Sequence, residues 1–333
     1  MNDTILVTGG AGYIGSHVVR QLGENGAKVI ILDNLCTGFA DAVLSGELVV
    51  GDTGDQELVA RILNEHKIKS VMHFAAHTIV PESVSNPLKY YRNNTSNTRN
   101  LLECCQDAKV DHFIFSSTAA VYGEPEHSLI DEQTPTAPIN AYGSSKLMSE
   151  MMLRDLSAAD NLRHVILRYF NVAGADPQGR IGQSTAKATL LTKVACEVAV
   201  GTRPQVAIFG TDYDTPDGTG VRDYIHVEDL ASAHLRALEY LKEGGDSITA
   251  NCGYGHGYSV REVIDMVQDV HGSPLNKVEE PRRAGDPPAL VAKADVARNV
   301  LGWTPQHDDL RNIVQSALAW EHTLTKKRLA ENG

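Results

Sequence analysis

The sequence predicts an α/β protein with a Rossmann-type, doubly wound parallel sheet and a smaller mixed α/β domain. Three observations predict this fold class. Short β-branched runs alternate with helical stretches, a glycine-rich loop joins the first strand to the first helix, and the alternation ends after Asn171. Strands that alternate with helices pair in parallel, because each connection crosses over the sheet. We therefore predict two domains, at residues 1–172 and 173–333.

The strands predicted in the first half are near-continuous apolar runs, as expected for parallel strands that helices cover on both faces. They occupy residues 4–8, 28–33, 47–51, 70–73, 112–117 and 163–169. Helical periodicity fills the intervals near residues 13–25, 55–66, 87–107 and 140–158. A succession of such units is typical of a sheet that binds its ligand at the carboxyl ends of the strands.

In the second half the regular alternation of strands and helices ends, and loop-rich segments separate shorter strands. Helices are predicted near residues 185–200, 228–242, 259–271 and 307–325. This pattern predicts a smaller mixed domain built around a ligand. Parts of residues 219–242 are expected to return and pack on the first domain.

The composition is ordinary for a globular protein, with 42% hydrophobic and 22% charged residues among 333. A net charge of -12 disfavours a nucleic-acid partner, because phosphates would be repelled. We see no apolar run of the roughly 18 residues that a membrane span needs, and no signal peptide. Five cysteines without a repeated spacing argue against a disulfide framework or a metal site, and favour a cytoplasmic protein.

The first loop carries glycines at Gly9, Gly12 and Gly15, between a predicted strand and a predicted helix. Glycine permits the tight turn, lets a pyrophosphate approach the backbone, and lets the helix pack closely on the strand. The amino terminus of the helix then attracts the phosphates. This pattern predicts a dinucleotide site; the alternative is a purely structural glycine turn.

Acidic residues end the next two predicted strands. A carboxylate at Asp33 would accept hydrogen bonds from the adenosine ribose and repel a 2′-phosphate, which favours NAD over NADP. Asp52 and Thr53 end the third strand, within reach of the adenine. The alternative is that these carboxylates are merely solvated.

Tyr142 and Lys146 lie four residues apart, on one face of a predicted helix. The pKa of a free tyrosine, near 10, is too high for a general base at neutral pH. A nearby lysine ammonium and a positive nicotinamide would favour the phenolate and lower that pKa. Thr118, at the end of the fifth strand, can offer a hydroxyl to the same substrate oxygen. An isolated pair of this kind is usually a solvated helix face, so the prediction depends on the dinucleotide loop upstream.

Together these residues resemble the extended short-chain dehydrogenase/reductase family, and in particular its sugar-nucleotide 4-epimerases. The resemblance covers nearly the whole chain. Its segments are 8–17 (TGGAGYIGSH), 33–35 (DNL), 73–76 (HFAA), 90–94 (YYRNN), 116–123 (SSTAAVYG), 142–146 (YGSSK), 167–171 (LRYFN), 207–210 (AIFG), 217–227 (DGTGVRDYIHV) and 282–286 (RRAGD).

The resemblance implies one set of residues for NAD and another for a UDP-sugar. The NAD set is Gly9, Gly12, Tyr13, Ile14, Gly15, Asp33, Asn34, Leu35, Thr37, Gly38, Asp52, Thr53, Phe74, Ala75, Ala76, Thr78, Asn93, Thr118, Tyr142, Lys146 and Phe170. The UDP-sugar set is Thr118, Tyr142, Asn171, Ala207, Ile208, Phe209, Arg222, Tyr224, Arg283 and Asp286. The catalytic residues would be Tyr142, Lys146 and Thr118, with no metal, in a homodimer formed by the helices near 87–107 and 140–158.

The reaction implied is epimerisation at C4 of a UDP-hexose, between UDP-galactose and UDP-glucose, through a transient 4-keto sugar with NAD kept bound. Related 4,6-dehydratases carry an Asp-Glu pair where this chain has Ala119 and Ala120, and a methyl group cannot move a proton. Three alternatives stay open: a 4-epimerase of UDP-GlcNAc, a UDP-pentose or a UDP-uronate; a 4-reductase; and a non-catalytic NAD-sensing protein.

Three positions depart from the pattern of the family. The family usually has a lysine near the cofactor phosphates, where this chain has His77 and Thr78. Leu190 replaces an Asn or His that faces the diphosphate, and Leu290 occupies the position that tunes the room for an N-acetyl group. Whether N-acetylated sugars are accepted is therefore open at this stage.

Overall fold

The computed structural model describes residues 3–186, 188–283 and 286–331. Its strands are β1 (Thr4–Thr8), β2 (Lys28–Asp33), β3 (Glu47–Val50), β4 (Ser70–His73), β5 (His112–Ser116), β6 (Leu129–Ile130), β7 (Arg163–Tyr169), β8 (Asn171–Ala173), β9 (Val206–Phe209), β10 (Val221–Arg222), β11 (Tyr224–His226), β12 (Ile248–Cys252), β13 (Tyr258–Ser259), β14 (Lys277–Glu280) and β15 (Ala289–Ala292). Its α-helices are α1 (Tyr13–Glu24), α2 (Gln56–Glu65), α3 (Val80–Ser85), α4 (Pro87–Tyr90), α5 (Asn97–Asp107), α6 (Ala141–Ala159), α7 (Leu191–Ala199), α8 (Val227–Lys242), α9 (Val260–His271), α10 (Asp295–Asn299) and α11 (Leu310–Glu331).

Seven parallel strands form the central sheet, in the order β12-β7-β5-β4-β1-β2-β3. The direction of winding reverses between β1 and β4, which opens a crevice at the carboxyl ends of these two strands. The predicted doubly wound sheet is therefore confirmed. It has one strand more than predicted, because β12 comes from far along the chain and joins the edge beside β7.

Helices cover both faces of the sheet, because successive strand residues point to opposite sides. Val7 packs in the cluster shared with α1 and α8, whereas its neighbour Leu6 packs in the cluster shared with α2, α5 and α6. All these strand side chains are excluded from solvent. Burying one leucine or valine side chain contributes about 1.5–3 kcal/mol, so the two layers account for much of the stability.

Two predicted helices differ from the structure. The predicted helix near 87–107 is interrupted, because a π-helical turn at Tyr91–Ser96 separates α4 from α5. The widened turn places Asn93 in the wall of a cavity. The helix predicted near 185–200 begins only at Leu191, so its predicted start is wrong. Thr185 and Ala188 lie in the cavity wall instead, in a segment without helical hydrogen bonding.

The second half builds small sheets around three packed helices, α7, α9 and α11. The sheets pair β13-β10-β15-β6, β11-β8 and β14-β9. Elements of each half of the chain pack on the other half. Helix α8 packs on α1, β5 and β7, and β6 leaves the first half to pair with β15. The domain boundary at residue 172 stays a prediction.

Within the described ranges, no helix has both the length and the apolar character needed to cross a membrane. All five cysteines are free thiols, and only Cys36 is exposed.

Buried histidines should make this fold sensitive to acid. Burial lowers the pKa of His73 and His226 to about 3, and that of His164 and His234 to about 4. Below pH 6.5 these histidines therefore bind protons in the unfolded chain but stay neutral in the folded chain. The free energy of unfolding consequently falls as the pH falls towards 4. Each histidine can cost up to about 1.4 kcal/mol per pH unit in that window. We expect thermal unfolding, followed by circular dichroism, to show a midpoint at pH 5 several degrees below that at pH 7. An unchanged midpoint would contradict this account.

Candidate active site

A cavity of about 1030 Å³ opens at the carboxyl edge of the sheet, between the sheet and the second half of the chain. Ligand pockets usually measure about 300–1,000 Å³, so this cavity lies at the upper end of that range. The glycine loop lines one end, Tyr142 and Thr118 line the middle, and Arg222 and Arg283 line the other end.

The glycine loop is shaped to receive a pyrophosphate. Gly9 has a φ of +72°, and a Cβ there would lie 2.5 Å from the backbone nitrogen of Ala75. A Cβ on Gly15 would collide with the Gly9 carbonyl. Helix α1 begins directly after Gly12, which makes no side-chain cap, so its first N–H groups remain available to an anion. The loop therefore fits a dinucleotide for reasons independent of its sequence pattern.

The carboxylate of Asp33 is held in the cavity wall by two backbone donors. Its Oδ2 accepts from the Ala11 N–H at 2.9 Å and its Oδ1 from the Leu35 N–H at 2.8 Å. Leu35 has a φ of +57°, which turns the chain back toward the carboxylate. Nearby, Asp52 accepts from the Asn34 side chain at 2.7 Å. This fixed acidic group is what an adenosine ribose with free hydroxyls requires.

We expect Asp33→Asn to reduce the amount of NAD that the protein retains. An amide would turn a donor toward one of the two N–H groups, and it would no longer repel a 2′-phosphate. The expected result is a shift of roughly tenfold or more in the ratio of NAD to NADP affinity, as for a hydrogen bond to a charged group. Nucleotide released by heat and separated by chromatography measures it. Asp55→Asn is the matched control, because Asp55 only caps α2, through the Leu58 N–H. Equal NAD retention in the two variants would contradict the role of Asp33.

Helix α6 places Tyr142 and Lys146 on one face. The helix begins at Ala141, where the Asn140 side chain accepts from the Gly143 N–H at 2.9 Å. Burial raises the pKa of Tyr142, and hydrogen bonding with Thr118 opposes that rise. Burial lowers the pKa of Lys146 to about 7, and its Nζ donates to the Ser116 carbonyl at 2.8 Å. Burial therefore disfavours the charged form of each side chain on its own. A phenolate at Tyr142 and an ammonium at Lys146 would instead stabilise each other.

A buried ion pair between Glu150 and Arg168 lies next to the face of α6 that carries Tyr142 and Lys146. Glu150, one turn after Lys146 and fully buried, accepts from Arg168 Nε at 3.0 Å and Nη2 at 2.6 Å. It also accepts from the Ser117 hydroxyl at 2.5 Å, directly before Thr118. The Glu150 carboxylate also raises the pKa of Lys146. Sequence reasoning missed this pair, although a charged residue on the buried face of α6 is itself a signal.

The π-helical turn is tied to the loop that follows β4. Asn94 accepts from the His77 N–H at 2.8 Å, donates to the His77 carbonyl at 3.0 Å, and reaches the Ser145 hydroxyl on α6. Thr78 lies in the cavity wall beside it. Among the cavity-lining residues of the described segment 3–172, Lys89 is the one lysine or arginine, and it pairs with Glu82 at 2.7 Å. Lys89 is therefore the cation that this part of the chain offers to the cavity, since Thr78 carries no charge.

At the other end, two arginines share one carboxylate. Arg222 donates to Asp286 at 3.0 Å, and Arg283 lies 3.6 Å from the other oxygen of Asp286. The Arg283 guanidinium also stacks 4.2 Å above the ring of Phe209. We call Arg222, Arg283 and Asp286 the arginine cluster. Planar guanidinium groups suit phosphate, and an aromatic ring suits a base, so this end fits a nucleoside diphosphate.

Most of the predicted site residues line this one cavity. Those in its wall are Gly9, Gly12, Tyr13, Ile14, Gly15, Asp33, Asn34, Thr37, Asp52, Thr53, Phe74, Ala75, Ala76, Thr78, Asn93, Thr118, Tyr142, Phe170, Asn171, Ala207, Phe209, Arg222, Tyr224, Arg283 and Asp286. Leu35, Gly38, Lys146 and Ile208 are not part of the wall. Lys146 lies beneath it.

The strand β9 explains the position of Ile208. Its side chains alternate, so Ala207 and Phe209 face the cavity while Ile208 packs in the core. The predicted role of Ile208 in binding the UDP-sugar stays a prediction, and its backbone rather than its side chain would have to make the contact. Other wall residues were not predicted, Tyr213 and Tyr169 among them. Tyr213 could have been proposed from the sequence, because it lies in the loop between the segments 207–210 and 217–227, which are both predicted to bind the substrate.

The fold and the site define a class of protein: the chain belongs to the NAD dependent epimerase/dehydratase family, which matches residues 5–253. The predicted family resemblance is thus confirmed. Among its relatives is the UDP-glucose 4-epimerase of Azospirillum brasilense, 57% identical over 321 residues, which cover 96% of this chain and 92% of the relative.

Two solved structures resemble this chain over nearly its whole length. One is the UDP-Glc/GlcNAc 4-epimerase of Campylobacter jejuni, which is 49% identical with a TM-score of 0.86, over 97% of this chain and all of that one. The other is the UDP-glucose 4-epimerase of Bifidobacterium longum in complex with NAD+ and UDP. It is 40% identical with a TM-score of 0.91, over 96% of this chain and 98% of that one.

Proposed function

We propose that this protein interconverts UDP-galactose and UDP-glucose by inverting C4 of the hexose through a transient 4-keto sugar, with NAD kept bound. One observation carries the proposal. Tyr142 and Thr118 lie in the wall of one cavity, between a dinucleotide loop and the arginine cluster. A group that moves a proton thus stands where two nucleotides would meet. The relatives of this chain named as UDP-glucose 4-epimerases support the same substrate.

NAD, when bound, supplies a hydride acceptor that later returns the hydride to C4. Tyr142 takes the proton of the 4-hydroxyl and gives it back, and Thr118 hydrogen-bonds the same oxygen. Lys146, held by the Ser116 carbonyl, stabilises the phenolate. Because no net oxidation occurs, the cofactor does not need to be exchanged.

The arginine cluster would hold the uridine diphosphate while the hexose turns over to present its other face. Strong contacts to the hexose would stabilise one ground state and oppose this rotation, so binding is best concentrated on the nucleotide. Ala119 and Ala120 line the cavity beside Thr118. Their methyl groups provide no acid or base for elimination, which favours epimerisation over dehydration.

Incubation of the purified protein with UDP-galactose, without added cofactor, tests the proposal. We expect UDP-glucose to form until equilibrium, followed by proton NMR of the anomeric signals. UDP-GalNAc, UDP-arabinose and UDP-galacturonate are tested in the same way. They show which sugars fit beside Leu290, which lines the cavity. If UDP-galactose is not interconverted, the proposal is wrong, and conversion of another of these sugars alone would support a 4-epimerase of that sugar. Stoichiometric consumption of added NADH would instead support a 4-reductase.

We also propose a cytoplasmic homodimer. The free thiols support a reducing compartment. Neighbouring helices α3, α4 and α6 expose large apolar side chains, with Val84 at 67%, Leu88 at 75% and Met151 at 53% of full exposure. Apolar groups gathered in this way are typical of an interface. Light scattering on the wild type and on Leu88→Glu would test whether this face joins two copies.

A further inference from the structure

The phenol of Tyr213 is buried in the cavity wall without a hydrogen-bond partner among the described residues. The residue lies in the loop between β9 and β10 and is only 7% exposed. A buried hydroxyl normally finds a partner, because it has given up water. The mechanism above does not use this group, and its orphaned oxygen points to a ligand.

The ring of Tyr213 is fixed, so its hydroxyl has a defined position. The Arg282 guanidinium stacks on one face, 4.2 Å from the ring centroid. A Cβ on Gly210 would lie 2.5 Å from the ring, which shows how closely the turn packs against it. The Tyr213 backbone N–H donates to the Gly218 carbonyl at 2.9 Å. The side chain is thus held in place before any ligand arrives.

The surroundings of the hydroxyl are rich in donors and poor in acceptors. Burial raises the pKa of Tyr213, Asp286 raises it further, and Arg282, Arg222 and Arg283 lower it. These are the residues of the arginine cluster and its neighbour. Guanidinium groups cannot accept a hydrogen bond, and the Asp286 carboxylate, which pairs with Arg222 and Arg283, makes no hydrogen bond with the phenol. An oxygen of a bound molecule would supply the missing acceptor.

We propose that Tyr213 is a further substrate-binding residue, whose hydroxyl donates a hydrogen bond to an oxygen of the ribosyl diphosphate of the UDP-sugar. The inference rests on the proposed function for the identity of the nucleotide. Such an oxygen offers several lone pairs to the arginines and the phenol together. The nucleotide does not change during epimerisation, so this contact acts equally on substrate and transition state. Tyr213 thus contributes affinity and not rate.

Tyr213→Phe removes the hydroxyl and keeps the ring, and titration calorimetry with UDP measures the loss. We expect the Kd for UDP to rise roughly tenfold or more, as for a hydrogen bond to a charged group. The KM for UDP-galactose should rise in parallel, with kcat within about twofold, as for uniform binding. The melting temperature without ligand should be unchanged or higher, because a buried orphan group disappears. Tyr240→Phe on α8, outside the cavity, is the matched control.

The arms of this experiment separate the possible results. If the effect of Tyr213→Phe disappears with 2′-deoxy-UDP, the acceptor is the ribose hydroxyl; if it persists, the acceptor is another oxygen of the ribosyl diphosphate. Equal UDP affinity in variant and wild type would overturn the inference while leaving the proposed function intact. Failure of the wild type to bind UDP at all would overturn both. A fall in kcat with an unchanged KM would also overturn the inference.

Discussion

Tyr142→Phe should lower the turnover of UDP-galactose by about 10²–10⁴-fold, the range that a general acid–base catalyst contributes. The phenylalanine ring fills the same space, but it can neither take the proton of the 4-hydroxyl nor return it. Lys146 cannot replace it, because its Nζ lies beneath the wall and donates to the Ser116 carbonyl. The fold should be unaffected, since the Tyr142 ring stays buried in either form.

Steady-state kinetics and the amount of retained NAD together check this expectation. The variant should keep the NAD content of the wild type, because the dinucleotide loop and Asp33 are untouched. Tyr240→Phe serves again as the control, with turnover within about twofold of the wild type, as for a change outside the cavity that touches no reacting group. Retention of most of the activity by Tyr142→Phe would rule out the assignment of the base.

Glu150→Ala should destabilise the protein by about 3–5 kcal/mol, because removal of one partner leaves a buried charge unpaired. Arg168 is only 3% exposed and would keep its charge without a carboxylate. Urea unfolding measures the loss. Arg154→Ala is the matched control. Arg154 also pairs with Glu150, at 2.7 Å, but its side chain is 40% exposed, so its removal should cost at most about 1 kcal/mol. Similar losses in the two variants would contradict the account.

A double variant separates the structural role of Glu150 from its effect on the site. Glu150→Met with Arg168→Met removes both charges at once, and replacement of a buried pair by apolar groups is often neutral or stabilising. We expect stability to recover but turnover to be lower than in the wild type, in this variant as in Glu150→Ala, because Ser117 loses its acceptor directly before Thr118. Full recovery of turnover would show that the pair serves stability alone.

Features that depend on neighbouring residues could be predicted from the sequence. Gly9, Gly12 and Gly15 all lie in or next to one loop, and their spacing alone identifies it. Asp33 is the last residue of a strand of six residues. Tyr142 and Lys146 share a helix face by their spacing alone. Each of these patterns is local, and the structure brings all of them to one cavity, except that Lys146 lies below its wall.

Features that depend on distant parts of the chain could not be predicted. Strand β12 joins the sheet only because β7 has a free edge, which no local pattern reveals. The π-helical turn breaks a periodicity that looks continuous in the sequence. The orientation of Ile208 depends on which face of β9 meets the core. The orphaned hydroxyl of Tyr213 becomes apparent only when its surroundings, from two loops, are assembled.

The return of α8 and β12 to the first half has a consequence for any attempt to divide this protein. A fragment ending at residue 172 would leave β7 as a bare edge, open to aggregation, and would uncover the apolar face where α8 lies. The complementary fragment would lose one of the two partners of β15, because β6 lies before the cut whereas β10 lies after it. One continuous core joins Val7 of the sheet to Ile313 of the last helix. The two halves therefore cannot be exchanged between relatives as separate modules, and they should melt as one cooperative unit.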